Sequence, residues 1–339
     1  MKLSWKQYDL HLKHTFRISR SARDTASVMI VSFEHEGIVG YGEASPSSRY
    51  GESLETLVNF LSLINFEKFE SPFLLDDILR YSETLLPGNS SAKCAVDIAL
   101  HDWIGKKLGV PLHQMWGLNP KKIPLCSFTI AIDSKEAVEQ KVREAEEYPI
   151  LKVKLGLDND KEMIDTIRKI TDKPLYVDAN EGWKTRERAL ESVKWLKKQN
   201  VVFIEQPMPA SQFSDLQWLR DHSELPLIAD ESVVRLSDIP MLAQAFDGIN
   251  IKLMKCTGLR EALKMIHTAQ AAGLKVMMGC MIETAVGISA AAQLGPLLDY
   301  CDLDGNVLIT DDPFDGVRNT KGRLILNGKP GIGATPRMT

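Results

Sequence analysis

Five stretches decide how this chain folds: ILKVKLG (150–156), LYVDAN (175–180), VVFIEQP (201–207), LIADES (227–232) and INIKLMK (249–255). Each is a short apolar run closed by a charged residue, in turn Lys154, Asp178, Glu205, Asp230 and Lys252, with successive gaps of 24, 27, 25 and 22 residues. About 25 residues is what one strand and one returning helix need. Residues 189–198 and 260–272 show the helical apolar spacing expected between strands, and 275–278 continues the series of short runs. Strands this short and this apolar are buried on both faces, which indicates a parallel sheet, and so many units suggest a closed barrel. A doubly wound open sheet is the alternative, but no GxGxxG opens any of the helices, so a dinucleotide fold has no support.

The texture differs outside this region. Residues 1–45 read as antiparallel β, with a β-branched run at 27–34, a turn at Glu36-Gly37 and a second strand at 38–43. From residue 52 the spacing turns helical. Leu54, Leu57, Val58, Leu61 and Ile64 share a face, and 92–108 repeats the pattern until Gly109 and Pro111 end it. The reading is an α/β chain: a closed parallel barrel over 113–310, with an α+β capping domain over 1–112. The tail, 311–339, is rich in Gly and Pro and is expected to return to the cap.

Length and composition agree. A chain of 339 residues exceeds one ordinary core, and 44% apolar with 25% charged residues is the globular norm. A net charge of −4 gives no field for holding a polyanion, so no nucleic-acid partner is expected. No apolar run is long enough to span a membrane, and 1–14 shows no leader-like apolar core. Five scattered cysteines with no CxxC fit a reduced, cytoplasmic protein.

In a parallel barrel the C-terminal strand ends form one rim, where active sites lie. A single charge there is ordinarily solvated or ion-paired; five in register are hard to explain that way. Asp178, Glu205 and Asp230 supply hard oxygen ligands that suit Mg²⁺ or Mn²⁺, and such a cation resolves their mutual repulsion. Lys154 and Lys252 flank them. Beside a dication and a second lysine, such a side chain should have a lowered pKa and act as a base. One lysine on each face of a carbon acid could remove an α-proton while the other returns it, the metal stabilising the charge left behind. Lys152 points to the same face as Lys154 and adds positive charge.

KVK, VDAN, EQP, ADES and NIKLMK, in this order and at these gaps, resemble the muconate lactonising enzyme subgroup of the enolase superfamily over nearly the whole chain. The resemblance implies a modified TIM barrel, (β/α)7β, behind the cap, and an isomerase with one Mg²⁺ per subunit on Asp178, Glu205 and Asp230. It implies Lys154 and Lys252 as the acid/base pair, with Lys152 assisting, and a homo-oligomer is expected. Asp302-Leu303-Asp304 at the eighth strand is similar to the Asp-x-Asp of dipeptide epimerases, which receives a substrate ammonium. Two carboxylates at alternate positions face one side and favour a cation. Residues 279–284, with Cys280 and Ile282, resemble the dipeptide-binding turn of that group. Cys280 is not read as a nucleophile, because no histidine lies at a comparable rim position. The expectation is therefore a dipeptide epimerase acting on a free-N-terminus Ala-Xaa substrate. The alternative is an N-succinylamino-acid racemase or o-succinylbenzoate synthase. Two cap segments, 16–24 and 47–53, should close the mouth. Arg17, Arg20 and Arg23 in the first could take an acidic second side chain, with Arg23 the assigned residue, while apolar walls would admit apolar ones.

Overall fold

The computed structural model describes residues 1–337. It opens with three antiparallel strands, β1 (Lys2–Ile18), β2 (Ser21–His35) and β3 (Ile38–Ala44), paired in the order β1-β2-β3. The turn read at Glu36-Gly37 joins β2 and β3, both residues taking positive φ. Three helices follow, Leu54–Ser62, Leu75–Leu85 and Ser90–Leu108. Of the face read for the first, Leu57 and Leu61 are buried but Val58 is 38% exposed, so the buried stripe is narrower than the sequence suggests. The third helix is buried almost throughout and lies directly on β3. Gly40 and Gly42 make this approach possible, since a Cβ at either would sit about 2 Å from the carbonyl oxygens of Ala99 and Ala95.

Eight parallel strands form the second unit: β4 (Phe128–Ile130), β5 (Leu151–Lys154), β6 (Leu175–Asp178), β7 (Val201–Glu205), β8 (Leu227–Ala229), β9 (Gly248–Ile251), β10 (Lys275–Met278) and β11 (Tyr300–Cys301). They are hydrogen-bonded in sequence order, β4 through β11, and a parallel bridge between Cys126 and Cys301 brings the two edges together. α-Helices connect consecutive strands, and only a 3-10 turn at Gly305–Val307 follows β11 before the tail, which is the (β/α)7β arrangement. Strand β4, only three residues long and interrupted by Thr129, is not among the short apolar runs read from the sequence.

Period-two alternation layers the barrel interior. Tyr176, Phe203, Ile228 and Met277 form a separate apolar cluster there, with Tyr176 stacked on Phe203 at 4.3 Å. Burying each such side chain contributes roughly 1.5–3 kcal/mol. Two residues further along the same strands stand Asp178, Glu205 and Asp230. The apolar layer thus floors the polar one. The tail runs back to the first unit: Gly331 bridges to Pro111, Ile332 N–H donates to Asp102, and the Phe314 ring meets Tyr41 at 5.2 Å. No helix among the described residues is long and apolar enough to cross a membrane.

Candidate active site

A cavity of about 510 Å³ lies over the C-terminal strand ends, roofed by the β1–β2 hairpin and by Pro46–Tyr50. The segment read as a loop, 16–24, is instead the tip of that hairpin, with Phe16, Arg17 and Ile18 paired to Arg23, Ala22 and Ser21. The two strands pair from Lys2–Glu34 to His11–Thr25, and after a register shift between His11 and Phe16 the extended pairing resumes at the tip.

The three carboxylates meet at the cavity floor. Asp178, Glu205 and Asp230 are fully buried, and one oxygen from each lies within 4.8 Å of the others. Asp178 Oδ2 accepts from Lys154 at 2.6 Å and Asp230 Oδ2 from Lys252 at 2.8 Å. Lys152 Nζ stands 2.7 Å from Glu205 Oε2, 3.3 Å from Asp178 Oδ2 and 2.7 Å from Asp302 Oδ2. Glu205 Oε2 is buried and, despite that proximity, accepts no aligned hydrogen bond among the described residues. Three buried carboxylates that each bring one oxygen to the same point form a hard-oxygen donor set suited to a divalent cation.

Electrostatics divide the set. Burial pushes Asp178 up, but Lys154 and Lys152 outweigh it and hold the carboxyl at about 2. Asp230 is likewise held well below the usual range, the effect of burial being overcome by Lys252 and Lys255. At Glu205 burial and the Asp178 charge outweigh the lowering by Lys152 and push the carboxyl up to about 8. Burial pulls Lys252 down, yet the Asp230 charge prevails and holds the ammonium above its ordinary value. The ion pair thus opposes the lowering that the sequence reading expects from a dication beside Lys252. The expectation counted the dication, which would draw the carboxylate charge away, but not the direct ion pair.

Across the cavity, Asp302 is engaged twice, by Lys152 and by the Ser127 hydroxyl at 2.8 Å. Asp304 accepts one bond, at Oδ2 from Thr129 N–H at 2.7 Å, and burial together with Asp302 pushes it up to about 7. Cys280 lines the wall and its thiol faces the Asp302 carbonyl; burial holds it well above the ordinary thiol value, an inert state. Ile282 also lines the wall, its back packed on Leu10 and Val28 of the cap.

The three arginines separate. Arg17 is exposed and does not line the cavity. Arg20 is spent on the rim, bonding Glu231 at 2.6 Å and the Asn180 carbonyl at 3.0 Å. Arg49 makes the matching contact to Glu181 at 2.7 Å. Arg23 lines the cavity without a carboxylate partner among the described residues. Sequence reading assigned no role to Glu181, Glu231 or Arg49. It also missed Gln206, which accepts from Asp230 N–H and Ser232 N–H and so ties β7 to β8. The one available signal was that Glu231 sits inside ADES and Gln206 inside EQP, stretches already singled out.

Residues 6–117 match the N-terminal domain family of mandelate racemase and muconate lactonizing enzyme, and 134–339 match the enolase C-terminal domain-like family. The L-Ala-D/L-Glu epimerase of Bacteroides thetaiotaomicron is 52% identical over 334 residues, covering 98% of this chain and 87% of that one. An L-Ala-D/L-amino acid epimerase of Pedosphaera parvula is 41% identical, with 97% of each chain covered. Among solved structures, the substrate-liganded L-Ala-D/L-Glu epimerase of Bacillus subtilis superposes with a TM-score of 0.93 at 29% identity, covering 99% of this chain and 98% of that one. The dipeptide epimerase of Cytophaga hutchinsonii, complexed with Mg and D-Ala-L-Val, gives 0.92 at 29% identity, with 99% and 95% covered.

Proposed function

The chain belongs to the mandelate racemase and muconate lactonizing enzyme family of the enolase superfamily and is an isomerase; from that premise we propose that it is a magnesium-dependent dipeptide epimerase whose substrate has a free N-terminus and an acidic second residue. The observation that carries this reading is the arrangement of Lys154 and Lys252. They stand on β5 and just beyond β9, flanking the three strands that bear the carboxylates, with Asp304 across the cavity.

Asp178, Glu205 and Asp230 would hold Mg²⁺, which supplies positive charge against the anion that forms when an α-proton leaves. Lys154 and Lys252 then face the α-carbon from opposite sides. One takes the proton and the other delivers one to the opposite face, so each epimer has its own base. Asp304 takes the substrate ammonium and Lys152 keeps Asp302 and Glu205 in place. Arg23, the cavity arginine without a carboxylate partner, suits a second carboxylate on the substrate, as bidentate guanidinium recognition requires. The 52% relative is an epimerase of L-Ala-D/L-Glu, which supports an acidic second residue.

L-Ala-L-Glu incubated with the enzyme in D₂O is expected to take up deuterium at the α-carbon of Glu in both epimers. Lys154→Ala and Lys252→Ala should each abolish epimerisation. N-acetylation removes the ammonium and strands Asp304, costing about 2–4 kcal/mol, or roughly 30- to 1000-fold in kcat/KM. Equal turnover of blocked and free dipeptides would replace this reading with a racemase of N-succinylated amino acids.

A further inference from the structure

Each carboxylate of the triad has two oxygens, and the structure treats them differently. The oxygens that meet the rim lysines are Asp178 Oδ2, Glu205 Oε2 and Asp230 Oδ2. The opposite oxygens are tied by Asn180, which lines the cavity, and by Asn250 and Lys255, which do not. Asp178 Oδ1 accepts from Asn180 N–H at 2.9 Å. Glu205 Oε1 accepts from the Asn250 amide at 2.7 Å. Asp230 Oδ1 accepts from Lys255 Nζ at 2.6 Å, and the same ammonium also bonds the Asp230 carbonyl at 2.6 Å and the Asn250 carbonyl at 3.2 Å. Asn250 and Lys255 are fully buried, so neither geometry is shared with water.

Both come from NIKLMK, the segment that also carries Lys252. Asn250 lies two residues before Lys252 on β9, so both point into the barrel, Asn250 one layer below. Lys255 lies one helical turn beyond, in Leu253–Cys256, and folds back beneath Asp230. One segment therefore places a rim lysine and two supports under the neighbouring carboxylates.

We propose that Asn250 and Lys255 are positioning residues that hold the rear oxygens of Glu205 and Asp230, so that each carboxylate presents one oxygen to the cation. This rests on the triad holding a divalent ion. Small Mg²⁺ demands near-ideal octahedral geometry, which single oxygens from each carboxylate suit, whereas larger Ca²⁺ readily takes both oxygens of a carboxylate. The rear contacts thus select Mg²⁺ over Ca²⁺.

The test is calorimetric titration of the full-length protein, without substrate, with Mg²⁺ and separately with Ca²⁺. The variants are Asn250→Ala and Lys255→Arg, which leave the net charge unchanged and so separate placement from simple attraction. Each should weaken Mg²⁺ binding by about 10- to 100-fold, the usual cost of losing a partner behind a metal ligand, while Ca²⁺ binding changes much less. Thermal melts establish that a variant is folded. Should the longer arginine prevent folding, Asn250→Ala, which only shortens a neutral side chain, carries the test alone. A folded variant with an unchanged Mg²⁺-to-Ca²⁺ affinity ratio overturns the proposal, whether both affinities persist or both fall together. A wild-type protein that binds neither ion overturns this proposal and the metal in the function above. Tight Mg²⁺ binding without epimerisation of any dipeptide overturns the function and leaves this proposal standing.

Discussion

At Asp304 two demands meet. Burial and the neighbouring Asp302 push its carboxyl up to about 7, yet receiving an ammonium requires it to be charged. As a raised acid it is ionised above about 7 and neutral below, so substrate binding at lower pH must first expel a proton. The α-amino group itself loses its charge above about 8. KM for a free dipeptide is therefore expected to be lowest between about 7 and 8, and to rise up to about tenfold per unit as pH falls from 7 towards 5. Steady-state kinetics across pH on the wild type and Asp304→Asn check this. The variant should show a higher KM with the acid limb flattened, and a wild-type KM independent of pH between 5 and 7 would remove Asp304 from the ammonium site.

The hairpin of β1 and β2 acts as an element. Its tip is held over the cavity by Ser19 and Arg20, whose donors reach the Asn180 carbonyl, and by the Arg20–Glu231 pair. Glu231 is buried while the Arg20 side chain is about one-third exposed, so solvent screens part of the attraction. Arg20→Ala leaves a buried carboxylate without its cation, an effect of about 1–2 kcal/mol after that discount. Because the latch orders the roof rather than the floor, KM should rise about tenfold while kcat changes by less than about threefold. The melting temperature should stay within about 2 °C, since the hairpin base remains paired to β3. Arg20→Lys should recover part of the loss. A fall in kcat with unchanged KM would place Arg20 in the chemistry instead of the roof.

Over the whole molecule, the cap and barrel are joined through two buried acids. Glu43 of β3 reaches the N-terminus of the helix Ala285–Gln293, accepting from the Thr284 N–H and hydroxyl and from Gly287 N–H. Glu283 lies alongside, so that a Cβ on Gly287 would touch the carboxyls of both. Burial raises Glu43 to about 7; burial and the Glu43 charge raise Glu283 to about 8. Unfolded, both ionise near 4.5. The native state therefore binds more protons than the unfolded chain between about 4.5 and 8, and stability falls as pH rises through that window. Glu283→Gln keeps the acceptor for Met281 N–H and removes the charge. It should be more stable than the wild type at pH 8.5, by on the order of 1–2 kcal/mol and a few degrees in Tm, with the gap closing near pH 5. Thermal melts of both proteins at the two pH values decide this, and a variant less stable at pH 8.5 would contradict it.

Sequence by itself determined the barrel and which charged residues stand on its rim. Alternation along a strand and the length of a strand-helix unit are local physics, so Lys154, Asp178, Glu205, Asp230 and Lys252 were legible as one ring from their spacing alone. Tertiary structure decided which partner each charge takes. Arg20 and Glu231 are 211 residues apart, and Lys152 and Asp302 are 150 apart. No periodicity links such pairs; long flexible side chains find their partners only where closure of the barrel and docking of the cap bring them together. Hence the sequence put three arginines in one segment and, though Arg23 was assigned, could not show where each points; the fold spends Arg20 on the roof, turns Arg17 outward and leaves Arg23 in the cavity. The same reason hid Asn250 and Lys255. Both were in view within NIKLMK, but their part appears only when β9 stands beside β8 and the adjacent carboxylates come within reach of one amide and one ammonium.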